Sequence, residues 1–306
     1  MQSDSPSVPV EHEKPMLLDA AFGMVSAFLF LTLIPIAAPL FSLIGSDNTY
    51  THIPLIPLVS LFFFWKERKE IHRFMSPTMA QRIIAGAAGV GFLGFYLMMQ
   101  LEIVGGGGDH ISGSVALLWC AWISGFVAVY GMRAVPKAAF ILFFMILSIP
   151  IPQAVLTFVV EMLRHGSAAM VQLFMSVTGT TFIRQGTLFH LGALSIDIAP
   201  ECSGIRSSIA LLMMSLIAGH MFLKTWWRKG ILLIAAAVLM MVKNGIRITT
   251  LSLLAQHVDE RFLTNSRLHS NGGILFFGIV FILLMVVLFA LREKEAKPIK
   301  SSAPAR

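Results

Sequence analysis

The chain has 306 residues, 56% of them hydrophobic and 13% charged, with a formal net charge of +7 and a mean hydropathy of +0.79. A soluble domain carries about 25% charged residues, so this composition excludes a water-soluble globular protein. It predicts an all-α polytopic membrane protein, in which the basic excess is a topology signal and not a nucleic-acid footprint.

Residues 1–15, rich in Ser and Pro, predict a disordered cytoplasmic tail. Crossing about 30 Å of hydrocarbon takes about 20 apolar residues. Apolar runs lie at 18–44, 54–65, 83–101, 113–132, 138–160, 205–223, 230–254 and 273–291. They predict about eight transmembrane helices within a transmembrane domain of residues 16–292. The first run exceeds a signal-peptide core and follows an acidic flank, so it is expected to be retained. The second is short and contains Pro54 and Pro57. The fifth is interrupted by "IPIPQ", where Pro150 and Pro152 should break or end the helix. Residues 293–306 read as a basic cytoplasmic tail.

Basic residues test this map. Lys14, then five between runs two and three, two between four and five, three between six and seven, and five after run eight make sixteen of the 23 on one side. The first two connections on the other side, "IGSDNTYTH" and "EIVGGGGDHIS", hold no Lys or Arg. The positive-inside rule then places both termini in the cytoplasm. The longest outer stretch, 161–204, is expected to form a cap. Its first part, "EMLRHGSAAMVQLFMSVTG", predicts an amphipathic helix lying at the interface. Its second, with short alternating runs around Gly186 and Gly192, predicts a small β-hairpin.

Three places carry candidate chemistry. Cys202 lies in "APECSGIRSS", after the hairpin and before run six, with Ser203 placed to cap the following helix. A thiol at a helix N-terminus is favoured as thiolate. Arg206, one turn on, adds positive charge, whereas Asp197 and Glu201 oppose it. Read locally, Cys202 is either a packed interfacial thiol or a nucleophile. The second place is "KNGIRITTLSLLA", where Lys243, Asn244 and Arg247 interrupt a very apolar helix. Ionisable groups inside a span face a polar interior or snorkel to its edge. Asn244 and Arg247 share a face; Lys243, off that face, fits snorkelling better than Arg247 does. The third is "RLHSNGG", with His269 at the end of the outer loop. His257 and His190 are rivals for its role, while His72 and His220 fall on the cytoplasmic side. The other cysteine, Cys120 in "LLWCAW", reads as an inert buried thiol. No metal-ligand spacing, P-loop or dinucleotide glycine pattern appears, and "GGGG" at 105–108 reads as a flexible loop. No cofactor, metal or nucleic-acid partner is expected.

The map brings Cys202, Arg247 and His269 to one membrane face, at the outer ends of three different helices. A cysteine nucleophile needs a base within reach and donors for the oxyanion of acyl transfer.

With "PECSGIRS", "NGIRI", "HSNGG" and the Pro-rich "FFMILSIPIPQAVL" in this order, the chain resembles the exosortase/archaeosortase family, multi-span membrane cysteine transpeptidases of bacteria and archaea. The resemblance covers most of residues 80–290. It implies that Cys202 attacks a peptide carbonyl near a short C-terminal sorting motif, often Pro-Glu-Pro-like (the PEP-CTERM type). In the substrate, a secreted protein, a transmembrane helix and a basic tail follow that motif. His269 would then be the acid and base, Arg247 the stabiliser of oxyanion or thiolate, and Arg206, Asn244 and Ser203 supporting residues. The implied location is the bacterial or archaeal cytoplasmic (inner) membrane, with the site facing outward and a link to exopolysaccharide and surface-protein sorting. Two rivals stand beside it: a transporter or exopolysaccharide-assembly subunit without covalent chemistry, and a membrane cysteine protease that hydrolyses its acyl-enzyme. Oligomeric state, sorting motif and acceptor are left open.

Overall fold

The computed structural model describes residues 13–102, 108–192, 194–200, 204–259 and 267–296. They divide into two compact units, Met1–Gln153 and Ala154–Arg306. Among the described residues, six helices are long and apolar enough to cross a membrane, and a bent pair makes a seventh if it counts as one span. The all-α polytopic class is therefore borne out. The count is lower than about eight because the helix formed by run 54–65 carries the charges Lys66–Glu70 and the first run is bent at its prolines.

The first unit holds α1 (Glu13–Leu31), α2 (Ile34–Ser46), α3 (Leu55–Arg73), α4 (Met79–Glu102), α5 (Gly108–Tyr130) and α6 (Val135–Phe144). The α1–α2 pair is one apolar run bent by 70°. Pro35 has no N–H for the carbonyl four residues back, so the helix stops at Leu31. The carbonyl of Thr32 at the break accepts the hydroxyl of Tyr96 from α4, a fully buried side chain. Leu29, Ile36, Tyr96, Ile111, Val115, Leu118 and Ala121 pack around this bend.

A second anchor joins α1, α3 and α5. Asp19 Oδ1 accepts the Tyr130 hydroxyl at 2.7 Å and lies 2.8 Å from His72 Nε2. Phe22, one turn on, packs against Phe64, Trp122, Phe126 and Tyr130. The run 54–65 became α3, but its C-terminal half, Lys66–Glu70, is charged throughout. The run at 138–160 is divided: α6 passes into a short 3-10 turn, Met145–Ser148, and helix resumes only after Pro152.

The second unit holds α7 (Gln153–Val177), strands β1 (Ile183–Gln185), β2 (Leu188–Leu191) and β3 (Leu194–Asp197), then α8 (Ile205–Phe222), α9 (Trp226–His257) and α10 (Arg267–Ala296). The expected interfacial helix at 161–179 is not a separate element. It continues without a break from Gln153, because no proline lies between Pro152 and the helix end at Val177. The 25-residue α7 is one of the six candidate spans. The expected hairpin gains a third strand, giving an antiparallel order β1-β2-β3. Its turns sit at Gly186 and Gly192, both at positive φ, where glycine carries no Cβ penalty.

Leu211 and Ala218 of α8, Leu232, Ala236 and Met240 of α9, and Val280, Leu284 and Leu288 of α10 form one core. Ala168, Val171 and Met175 of α7 form another with Phe189, Leu191 and Ile198 of the sheet and Ile248 of α9. Of the expected tails, Glu13 already starts α1 and α10 runs to Ala296; residues 1–12 and 297–306, like most of "GGGG", lie outside the described residues.

Candidate active site

Every candidate residue named from the sequence belongs to the second unit. Cys202 and Ser203, with Glu201, lie outside the described residues, so the site is built from what flanks them. Helix α8 begins at Ile205, and its N-cap is Gly204 and not Ser203. Gly204 sits at φ +76°, a left-handed conformation that strains any residue with a side chain. Space is short there as well: a Cβ would meet Asn244 Oδ1 at 3.3 Å. The start of α8 is thus pressed against α9 at the first residue of "NGIR".

Asn244 is 1% exposed and donates from Nδ2 to Ser167 Oγ of α7 at 2.9 Å. Beside it, Gly245 lets α7 approach, since a Cβ there would fall on Met170. Asn244 therefore touches both α7 and the head of α8. Arg247, one turn on, is half-buried, and Arg206 is exposed in the first turn of α8.

Lys243 does not snorkel. It is 5% exposed, and its ammonium donates to Ser207 Oγ of α8. The Ser207 hydroxyl donates in turn to the Gly204 carbonyl at 2.9 Å. Successive helical residues point about 100° apart, so Asn244 reaches α7 while Lys243 reaches α8. Lys243 and Arg247 thus place two cations one turn apart on one helix.

Asp197 is likewise engaged. It accepts Thr187 Oγ1 at 2.9 Å and pairs with Arg164 of α7 at 3.3 Å. The negative charge that was set against a Cys202 thiolate is therefore paired with Arg164. Sequence reasoning passed over Arg164, whose partner Asp197 lies 33 residues away and is brought to it only by the fold.

Among the histidines, His190 of β2 is bonded to Ser195 Oγ of β3 at 2.8 Å. His257 is the last residue of α9 and exposed. His72 belongs to the Asp19 anchor of the first unit. His269 falls in the first turn of α10, and Gly272–Gly273 lie inside that helix and do not open it; its side-chain surroundings lie outside the described residues. Its height along the bundle still follows from the backbone. Arg228 of α9 donates to the carbonyls of Leu291 and Lys294 at 3.2 Å. The two helices run antiparallel from there, and counting equal steps of about 1.5 Å brings Arg247 level with the Gly272 region, about one turn from His269.

Cys202 is two residues from a glycine whose added Cβ would meet Asn244, Arg247 is one turn from Asn244, and His269 lies in the first turn of the third helix of the same core. A family model described as transmembrane exosortase (Exosortase_EpsH) matches residues 44–286. No curated protein and no solved structure matches the chain. The match covers most of the first unit and nearly all of the second, including all three motif segments, and the chain belongs to the transmembrane exosortase family.

Proposed function

We propose that this exosortase is a membrane cysteine transpeptidase that removes the C-terminal sorting signal of secreted proteins and transfers them to an acceptor. The observation that carries the reading is the close approach of Gly204, in "ECSGIR", to Asn244, in "NGIR", where an added Cβ would lie 3.3 Å from Asn244 Oδ1. It joins two of the three motifs at the head of α8. The Cys202 thiolate attacks the scissile carbonyl carbon, and Arg247 stabilises the oxyanion. His269 gives its proton to the leaving amine as the carbon–nitrogen bond breaks, leaving a thioester. The acceptor's nucleophile then attacks the thioester and passes its proton to His269, and the carbon–sulfur bond breaks to release the Cys202 thiolate.

The substrate's transmembrane helix packs beside the bundle and presents its outer end to the sheet and to Cys202. The basic-residue bias supports cytoplasmic termini and an outward-facing site in the inner membrane. The test is processing of a co-expressed, tagged secreted protein that carries a motif–helix–basic-tail signal. Cys202→Ala, Arg247→Ala and His269→Ala should each abolish it; normal processing by Cys202→Ala refutes the assignment. An amide or ester adduct on the product end marks transfer, and a free carboxylate marks hydrolysis.

A further inference from the structure

Helix α3 carries an exposed stripe that changes character halfway along its length. One face of the helix, with Ile56, Ser60, Phe63 and Ile71, is at most 4% exposed. The other face runs Leu55, Leu58, Phe62, Lys66, Lys69, Arg73, and all six are exposed. Steps of three and four residues hold them within an arc of about 80°. The stripe is therefore apolar over its first half and cationic over its second, on one side of one helix.

The level of the change is marked by Trp65, which is 62% exposed and carries the Arg68 guanidinium 5.3 Å from its ring centre. Tryptophan gathers at the boundary between hydrocarbon and headgroups. From Lys66 to Arg73 the helix rises about 10 Å, enough to cross one headgroup layer of about 5–8 Å. Carboxylates do not cancel the stripe. Glu70 at its edge pairs with Lys137 of α6 at 3.6 Å, and the same ammonium lies over the Phe74 ring at 4.4 Å. Glu67 points about 100° away from Lys66. Among the described residues, Lys66, Lys69 and Arg73 form no ion pair.

We propose that this stripe binds one anionic phospholipid, with an acyl chain along Leu55, Leu58 and Phe62 and the phosphate held by Lys66, Lys69 and Arg73. A soluble polyanion would meet the cations and leave the apolar half uncovered. A zwitterionic headgroup would bring its own cation against the stripe. A phospholipid with net negative charge matches both halves in their order along the helix. The site lies wholly in the first unit and holds whether or not Cys202 is a nucleophile.

The test titrates the full chain, in a mild detergent, with dioleoyl phosphatidylglycerol or dioleoyl phosphatidylcholine, and native mass spectrometry follows the first lipid bound. Phosphatidylglycerol should bind at least about tenfold more tightly. Lys66→Gln, Lys69→Gln and Arg73→Gln combined should abolish that preference and leave phosphatidylcholine binding unchanged. Lys69→Gln alone should weaken phosphatidylglycerol about fivefold, and it decides the matter if the triple variant does not fold. Lys294→Gln, which removes an exposed cation of the second unit, should change nothing. Glycerophosphate, a headgroup without acyl chains, should not displace the lipid at equal concentration. Wild-type preference in the α3 variants overturns the proposal. So does an equal loss in Lys294→Gln, which marks net charge alone, and so does displacement by glycerophosphate, which marks a simple anion site.

Discussion

The contact between α7 and α9 makes a graded prediction at three glycines. Alanine in a helix interior is favoured over glycine by about 0.8–1.0 kcal/mol, so Gly→Ala should stabilise wherever space permits. At Gly94 of α4 nothing lies within 4 Å of a new Cβ, and Gly94→Ala should hold or raise stability. At Gly166 the methyl meets the Met241 sulfur, the far end of a flexible chain, so the cost should be small. At Gly245 it falls on Met170 Cβ, with the Met170 carbonyl carbon and Phe174 Cε2 both at 3.3 Å. Only a parting of the helices relieves that. Overpacking costs about 1–3 kcal/mol, and straining the neighbouring Asn244–Ser167 bond adds about 1 kcal/mol. Offset by the propensity gain, the net loss for Gly245→Ala is about 2 kcal/mol. For a domain of this size that lowers Tm by about 4–8 °C. The assay is thermal unfolding of purified protein in one detergent, followed by tryptophan fluorescence. If Gly245→Ala melts at or above wild type while Gly94→Ala is neutral, the close approach is not there.

Three further outcomes are expected. Tyr96→Phe leaves the Thr32 carbonyl without its donor at the α1–α2 bend, which should cost about 1–3 kcal/mol in the same melt. Tyr130→Phe and Asp19→Asn disrupt one shared anchor, so each should cost about 1 kcal/mol, and the double variant less than their sum. Burial pushes His52, in the turn before α3, below its ordinary pKa, against the opposing pull of the Thr49 and Leu147 carbonyls. The neutral ring is therefore the folded form. Its contribution is complete above about pH 6.5 and is lost as pH falls below that toward the lower folded value, where the unfolded chain takes the proton first. Melts from pH 7.5 down to 5 should show a steeper loss for wild type than for His52→Gln; equal slopes refute the role.

The apolar runs and the order of motifs were legible because both are local: hydrophobic length and short residue patterns name helices and their ends. The strands around Gly186 and Gly192 were legible for the same reason. What escaped depends on partners distant in sequence. Lys243 and Asn244 are neighbours, and nothing local says that one turns to α8 and the other to α7. Arg164 reads as one charge on an amphipathic helix until β3 folds back and offers it Asp197 and the Ile198 carbonyl. The head of α8 was assigned to Ser203 on capping preference, yet the tight contact with Asn244 requires the residue without a side chain, Gly204. Continuity of α7 was hidden because Pro150 and Pro152 mark where helix stops, not how far the next one runs.

The division at Gln153 also bears on how variation in this chain should be read. All of the proposed chemistry lies after it, while the Tyr96 bend and the Asp19 anchor lie before it. Substitutions before residue 154 should therefore show themselves mainly as lost protein in the membrane. Those after it can leave a full complement of protein that does no work. Measuring abundance beside activity would sort uncharacterised variants into these two classes before any substrate is known.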